Sequence, residues 1–417
     1  MAEGEHFDVV VVGGGAAGVA AAVGARQTGA SVRLVERYGF LGGAATNSSV
    51  LTFCGFFDQR RNPVVGGVGA DMLRRLERRD VYREMSLAWS GNHFVLLDLE
   101  TTKLVYDEVV TEAGVDVRLH STLVDAERDA TGRVTRILVN GRGGNEWVGA
   151  DAFVDASGDG VLLAAAGAGV RVAPVDDRQT STLVCRFGGL AHDADLSQEG
   201  IRAAVAAHAA ATGRRPARDH GIAVRLPVTA QVLALLVDEQ VDALDAAAFT
   251  GNEMSARRQA WHYLDAFQKH LAGWQRAYLV ETGPQIGIRE SRHLLGRDEL
   301  TVDDVLAARK RPADSIARCG WPIEDHAGPG VTRYRPIDGK GWYDVPYGAI
   351  TSVDTPNIWA AGRLTAADRD AYASVRVMGT AFATGHAAGV AAAQFHQGRP
   401  HDVAAIRAEL LRQGAII

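Results

Sequence analysis

The sequence is short of cysteine. Cys54, Cys185 and Cys319 are the only three in 417 residues, far apart, with no CxxC pair and no histidine at zinc spacing. This argues against a disulfide framework and a thiolate metal site, so the chain reads as a reduced protein with no metal. A basic track is missing too: 50 acidic against 44 basic residues give a formal charge of -6, with no continuous run of Lys and Arg. Nucleic acid is therefore not an expected partner. No apolar stretch nears the ~20 residues of a spanning helix. The opening MAEGEHFD is acidic where a secretory signal is positive, so the expectation is a cytoplasmic protein with no membrane partner. Internal repeats and low-complexity tracts are absent.

What is present begins at VVVVGGGAAGVAAAV, residues 9–23. Four β-branched residues suit a strand buried on both faces, and Ala16 to Arg26 has the composition of a helix. Between them Gly13, Gly15 and Gly18 make GxGxxG, whose glycines serve a tight turn, close approach to a pyrophosphate, and helix-on-strand packing. The next strand, Ser31 to Val35, ends at Glu36, placed to accept the ribose hydroxyls of an adenosine. NAD and FAD both satisfy these features. The choice between them comes from later segments. RYGFLGGAATNS after Glu36 would let the backbone at Gly39, Gly42 and Gly43 follow a pyrophosphate and ribityl chain. AFVDASGDGVLLAAAG ends a strand at Asp155 and turns through Asp159 and Gly160. NIWAAGRLTAADRDAYASVRVMGTAFATGHAAGVAAAQF gives a strand to Ala361, a turn at Gly362 and Arg363, and a helix from near Gly379 and Thr380 whose first amides could meet a flavin.

These segments, with VVGGVGADMLRRL, GIRESRHLLGRDELTVDDV, PIEDH, VPYGAI and LRQGAII in order along nearly the whole chain, resemble the FAD-dependent oxidoreductase family with a glutathione-reductase-type FAD domain. The resemblance implies an α/β fold. A discontinuous Rossmann-type FAD-binding domain would comprise residues 1–60, 100–170 and 340–395. An inserted α+β substrate domain would take 61–99 and 171–339, and a C-terminal helix 396–417. It implies non-covalent FAD held by Gly13, Gly15, Ala17, Gly18, Glu36, Arg37, Gly42, Gly43, Ala44, Thr46, Val124, Ser157, Gly158, Asp159, Gly362, Arg363, Val377, Met378, Gly379 and Thr380. Val124 would offer its backbone to adenine; Met378 to Thr380 would border the isoalloxazine, as would Ala45, Thr46 and Asn47. Two departures are visible: Gly379 stands where many relatives have Pro, and ADRDAYAS lacks histidine. The Ala- and Arg-rich composition fits a bacterial, GC-rich source, where such enzymes serve secondary metabolism.

Within 171–339, TSTLVCRFGGL reads as a strand, EGIRAAVAAHAAA and TAQVLALLVDEQ as helices, and GRRPARDHG as a loop. From Asn252 to Glu281 a helical stripe of Trp261, Leu264, Phe267, Leu271, Trp274 and Tyr278 is expected to face a core. Residues 115–140 read as two strands around DATGRV.

No motif announces the catalytic groups, since a flavin carries the electron transfer. GIRESRH is the best cluster. As an extended strand it would put Arg289, Ser291 and His293 on one face, Glu290 and Arg292 on the other. Arg289 or Arg292 would stabilise reduced flavin or clamp a substrate carboxylate; the alternative is an Arg-Glu ion pair joining two domains. His293 and His326 are candidate bases. Tyr347 could hydrogen-bond a substrate, and Cys54 stands close enough to the flavin loop to be considered for a covalent link. The leading function is an oxidase or dehydrogenase taking hydride from a small organic substrate to flavin N5. An NAD(P)H-dependent monooxygenase and a non-catalytic electron-transfer subunit stay open, as does a homo-oligomer. Disulfide reduction is excluded by the missing CxxxxC pair and second GxGxxG, and the WxWxIP signature of flavin halogenases is absent.

Overall fold

Val9, Val10, Val11 and Val12 are all buried, as a strand covered on both faces requires, and they lie at the centre of a seven-stranded sheet. The computed structural model describes residues 5–87 and 90–417. Across the sheet the order is Asp116–Arg118, Val32–Val35, His6–Val12, Gly144–Asp155, Val134–Gly141 and Thr122–Arg128. The first four are parallel, the last two antiparallel. Gly144–Asp155 changes partner along its length, leaving the antiparallel Val134–Gly141 and taking up parallel Ile358–Ala360 at Phe153 to Asp155. The fold is mixed α/β and Rossmann-like.

Register decides where a ligand can sit. Val12 lies opposite both Val35 and Asp155, and Asp155 opposite Ala360. The parallel strands His6–Val12, Val32–Val35, Gly144–Asp155 and Ile358–Ala360 end level, so the four turns after them meet in one crevice beyond their carboxyl ends. Val9 and Val11 face helices Ala16–Gln27 and Met378–His396; Val10 and Val12 face a second layer with Leu162, Leu163 and Leu294. Asp155, fully buried, fixes the third turn. One carboxylate oxygen accepts from the Ser157 N–H and hydroxyl, and the other from the N–H groups of Leu162 and Leu163.

A second core lies between the antiparallel sheet Ile222–Arg225, Val232–Leu235, Cys185–Gly188, Tyr278–Thr282 and the helices Gln198–Thr212 and Ala246–His270. Phe187, Phe267 and Trp274 meet edge to face there, with centroids 4.8 to 6.3 Å apart. The segment TAQVLALLVDEQ is not the helix expected: Val232–Leu235 is a strand paired on both edges. A short apolar run does not separate a buried strand from a buried helix. The long helix starts at Asp245, whose carboxylate caps the N–H groups of Ala247 and Ala248. It stops at His270, because Leu271 is extended and Gly273, at φ +80°, closes on Ala194. Of the expected stripe Leu264, Phe267, Leu271 and Trp274 are buried, whereas Trp261 and Tyr278 are 61% and 57% exposed.

Residues 61–99, expected with the substrate domain, instead bury Val64, Val68, Met72, Leu76 and Phe94 to Leu97 in the first core. Their helix Gly67–Glu77 closes on Phe382 and Phe56 through Gly69, which ties them to the dinucleotide layer. Near the end of the chain the helix is Val403–Arg412, capped by Asp402, shorter than the 396–417 expected.

Candidate active site

The four turns border a cleft of about 130 Å³. Of the expected residues, Gly13, Gly15, Ala17, Glu36, Arg37, Gly43, Ala44, Ser157, Gly158, Gly362, Arg363 and Met378 line it. The glycines differ in why they are glycines. Gly13, at φ +101°, has Ala156 O only 2.5 Å from where a Cβ would stand, and Gly18 has Gly13 O at 1.7 Å. Both are required by the protein itself. Gly15 is at φ -76°, and a Cβ there would meet only Gly43, at 3.5 Å. Its missing side chain leaves room in the cleft.

Glu36 is buried, and burial raises its pKa. Its carboxylate accepts from Gly14 N–H at 2.6 Å and Tyr38 N–H at 2.9 Å, and each oxygen has a further lone pair. Beyond it a smaller space of about 70 Å³ is bordered by Ser121, Thr122 and Leu123. The expected Val124 is displaced by one residue from this space: it does not line it, and its side chain is exposed. The strand's pairing register shifts between Leu123 and Asp125, so Val124 stands at an irregularity.

Eight expected residues do not line the cleft, Val124 among them. Gly42 N–H donates to Gly14 O, and the Thr46 hydroxyl to Leu41 O, folding the loop back over the glycine turn. Asp159 receives Ser291 Oγ at 3.1 Å and pairs with Arg363 at 3.3 Å and Arg37 at 3.7 Å. Gly379 is a packing glycine, since a Cβ would fall 2.4 Å from the Gly55 carbonyl carbon. Thr380 is buried with its hydroxyl 3.2 Å from Cys319 Sγ. Val377 caps the helix Met378–His396 with no side-chain hydrogen bond, so the first-turn N–H groups stay available at the cleft. Gly18 packs the helix on the turn, as above.

A second cavity of about 150 Å³ adjoins the cleft and shares Ala44, Ile288, Arg363, Arg376 and Met378 with it. Val50, Leu235 and Val377 supply apolar wall; Arg289, Arg376, Glu324 and His326 supply charge or titratable groups. Glu324 accepts from Trp321 Nε1 at 2.9 Å and the Tyr334 hydroxyl at 2.6 Å, with His326 Nε2 at 3.5 Å. Burial acts to raise its pKa, but His326, Arg376 and Tyr334 more than offset this and hold the carboxyl well below the usual range. Burial and the neighbouring Arg289 charge push His326 down to about 3, so its imidazole is neutral. Cys54 also lines this cavity, its thiol pushed up to about 12 by burial and therefore protonated.

The cluster GIRESRH does not alternate as expected, because only Arg292–Leu294 is a strand. Arg289 alone of its candidates reaches the cavity. Glu290 pairs with His293 at 3.0 Å and accepts the Gln179 N–H, so it makes neither a catalytic contact nor the expected ion pair with arginine. The His293 ring stacks edge-on against Tyr372 at 4.1 Å, and the Tyr372 hydroxyl donates to Arg289 O, which places Arg289. Arg292 donates to Asp159 O at 2.8 Å. Tyr347 is remote from both cavities: it accepts from Trp359 Nε1 and bonds His401 Nδ1, each at 2.9 Å. Glu324 and Arg376 were not singled out by the sequence reading, although Glu324 stands in the quoted PIEDH and Arg376 in ASVRVMG. Among the described residues the one grouping able to hold a metal, Asp8, Asp151 and His396, lies at the opposite end of the sheet.

The cleft fits a dinucleotide on two further observations. Asn47 Oδ1 and Arg363 Nη1 are buried without a hydrogen-bond partner, and both residues line the cleft. An unpaired buried polar atom is costly, and a ligand of alternating phosphate and hydroxyl groups would satisfy one acceptor and one donor.

A family model described as FAD dependent oxidoreductase matches residues 8–413. Among solved structures, a geranylgeranyl bacteriochlorophyll reductase-like protein from Thermoplasma acidophilum is 14% identical with a TM-score of 0.52, over 98% of this chain and 83% of its own. A triple mutant of the flavin-dependent brominase Bmp2 is 14% identical, TM-score 0.48, over 98% and 85%. The myxobacterial chondrochloren halogenase CndH is 16% identical, TM-score 0.43, over 98% and 79%. No curated protein matches the chain.

Proposed function

This chain belongs to the FAD-dependent oxidoreductase family and is an FAD enzyme, and we propose that it oxidises a small organic substrate bound in the side cavity. When bound, FAD supplies at N5 the acceptor for a hydride. The observation that carries the reading is the shared wall: Ala44, Ile288, Arg363, Arg376 and Met378 belong to both the dinucleotide cleft and the side cavity. A substrate in the one lies against a cofactor in the other.

On this reading Gly15 leaves room for the pyrophosphate, Glu36 accepts from the adenosine ribose, and Arg363 and Asn47 pair with the cofactor's polar groups. His326, neutral and lining the cavity, turns Nε2 toward Glu324, so Nδ1, which the Thr332 hydroxyl meets at 3.2 Å, is the nitrogen that takes the substrate's proton as the C–H bond gives up its hydride. Glu324 orients the imidazole and stabilises its protonated form. Val50, Leu235 and Val377 exclude water. The FAD domain would be of the glutathione-reductase type, with FAD non-covalent, consistent with the protonated Cys54. A cytoplasmic protein with a small-molecule substrate and neither nucleic-acid nor membrane partner completes the reading; among the described residues no helix is long and apolar enough to cross a membrane.

The test is anaerobic mixing of the holoenzyme with candidate alcohols, amines and ring compounds, and separately with NADPH, while the visible flavin absorption is followed. Bleaching by an organic compound supports the reading. Bleaching by NADPH alone, with fast reoxidation in air, would overturn it in favour of a monooxygenase.

A further inference from the structure

The side cavity is unbalanced in charge. Three guanidinium groups reach its wall, from Arg289, Arg363 and Arg376, against the single carboxylate of Glu324. Arg363 has Asp159 at 3.3 Å. Arg376 donates only to neutral acceptors, Gln179 Oε1 at 3.1 Å and the Glu324 backbone carbonyl at 3.0 Å. Arg289 donates to Thr180 O at 2.6 Å, and its nearest carboxylate, Asp238, stands 4.0 Å away. Asp238 is already engaged by the Thr180 hydroxyl, the Gly330 N–H and Arg218 at 3.5 Å. The Glu324 carboxylate is taken by Trp321, Tyr334 and His326.

Two guanidinium groups thus face an apolar-walled cavity, and among the described residues neither has a carboxylate in hydrogen-bond reach. Their mutual repulsion is felt: burial and the Arg376 charge push Arg289 down to about 10. Like charges gathered out of water need an anion between them. The guanidinium fork matches the flat, two-oxygen geometry of a carboxylate.

We propose that the cavity binds a small organic acid, its carboxylate held by Arg289 and Arg376 and its oxidisable carbon toward Ile288 and Met378. The proposal rests on reading this cavity as the substrate site and names the class of molecule that enters it. A neutral alcohol or amine of the same size would leave both guanidinium groups unpaired. That is the kind of difference on which polar pockets discriminate strongly.

The experiment is a binding titration on the holoenzyme at neutral pH, read as a perturbation of the flavin visible spectrum. The probes are acetate and benzoate, each compared with its amide. The expected result is saturable perturbation by a carboxylate, with its amide at least about tenfold weaker, the effect of one charge-assisted hydrogen bond. Arg289→Gln, at a residue that does not line the dinucleotide cleft, should weaken the carboxylate by a similar factor and leave the amide unchanged. Equal binding of acid and amide, or no perturbation by either carboxylate, overturns the proposal. The anaerobic screen separates the two claims. If neutral compounds bleach the flavin while no carboxylate binds, the oxidation reading stands and the acid proposal fails. If carboxylates bind but only NADPH bleaches, the anion site stands and the oxidation reading fails.

Discussion

Gly389 rests with its Cα on the carbonyl oxygen of Ala21, so close that a Cβ there would lie 1.9 Å from that oxygen. One turn earlier Gly385 repeats the contact on Ala17 O, at 2.1 Å. The helix that reaches the cleft with its N-terminus is thereby locked to the helix that follows the glycine turn. Gly389→Ala should lower the stability by about 1–3 kcal/mol, as overpacking does. Gly251→Ala is the control: it lies in the helix Ala246–His270 with nothing within 4 Å of a Cβ, and should stabilise by roughly 0.5–1 kcal/mol. Thermal unfolding of the two variants checks both signs.

The three glycines of the turn separate folding from cofactor binding. Gly13→Ala meets Ala156 O at 2.5 Å and at φ +101°, so it should yield a poorly folded chain. Gly15→Ala should keep the wild-type circular dichroism and lose affinity for FAD, since only the cleft is filled. Glu36→Gln removes one acceptor oxygen and should weaken FAD about tenfold or more. Titration of FAD into apoprotein measures each.

Acid should destabilise the protein through the side cavity. His326 falls from 6.5 to about 3 on folding. Between those values the unfolded chain binds the extra proton, so stability rises with pH across the window. Glu324, also lowered on folding, adds stability above its unfolded value of 4.5 that is lost as pH falls. His386 and His401 are shifted down as well and act in the same direction. The specific expectation is a difference: His326→Gln should lose less melting temperature between pH 6.5 and pH 5 than the wild type.

Tyr347→Phe should not touch the chemistry. Its hydroxyl serves Trp359 and His401, neither of which lines the cavities, and removing it leaves the buried Trp359 Nε1 without its acceptor. A loss of about 1–3 kcal/mol is expected in denaturant unfolding, with FAD content and flavin bleaching rate unchanged.

The sequence made the dinucleotide half of the molecule readable because its constraints are local. Strand, glycine turn, helix and Glu36 follow within thirty residues, and each position is forced by its neighbours in the chain. The side cavity was legible only in pieces. Arg289 and His326 were named, but Glu324 and Arg376 come from segments far apart in sequence, and nothing local marks Arg376 as lacking a carboxylate. Tyr347 failed for the same reason: its partners Trp359 and His401 come from a later strand and turn. Val232–Leu235 failed because apolar length alone does not tell a strand from a helix.

The central claim is that His326 takes the proton while hydride leaves the substrate in this cavity. Its most direct test is the rate of anaerobic flavin bleaching by the organic substrate, wild type against His326→Gln, in rapid mixing. A fall of roughly 100-fold or more, with substrate affinity within a few-fold of wild type, is the result predicted for a lost general base. An unchanged bleaching rate in a fully FAD-loaded variant would contradict it.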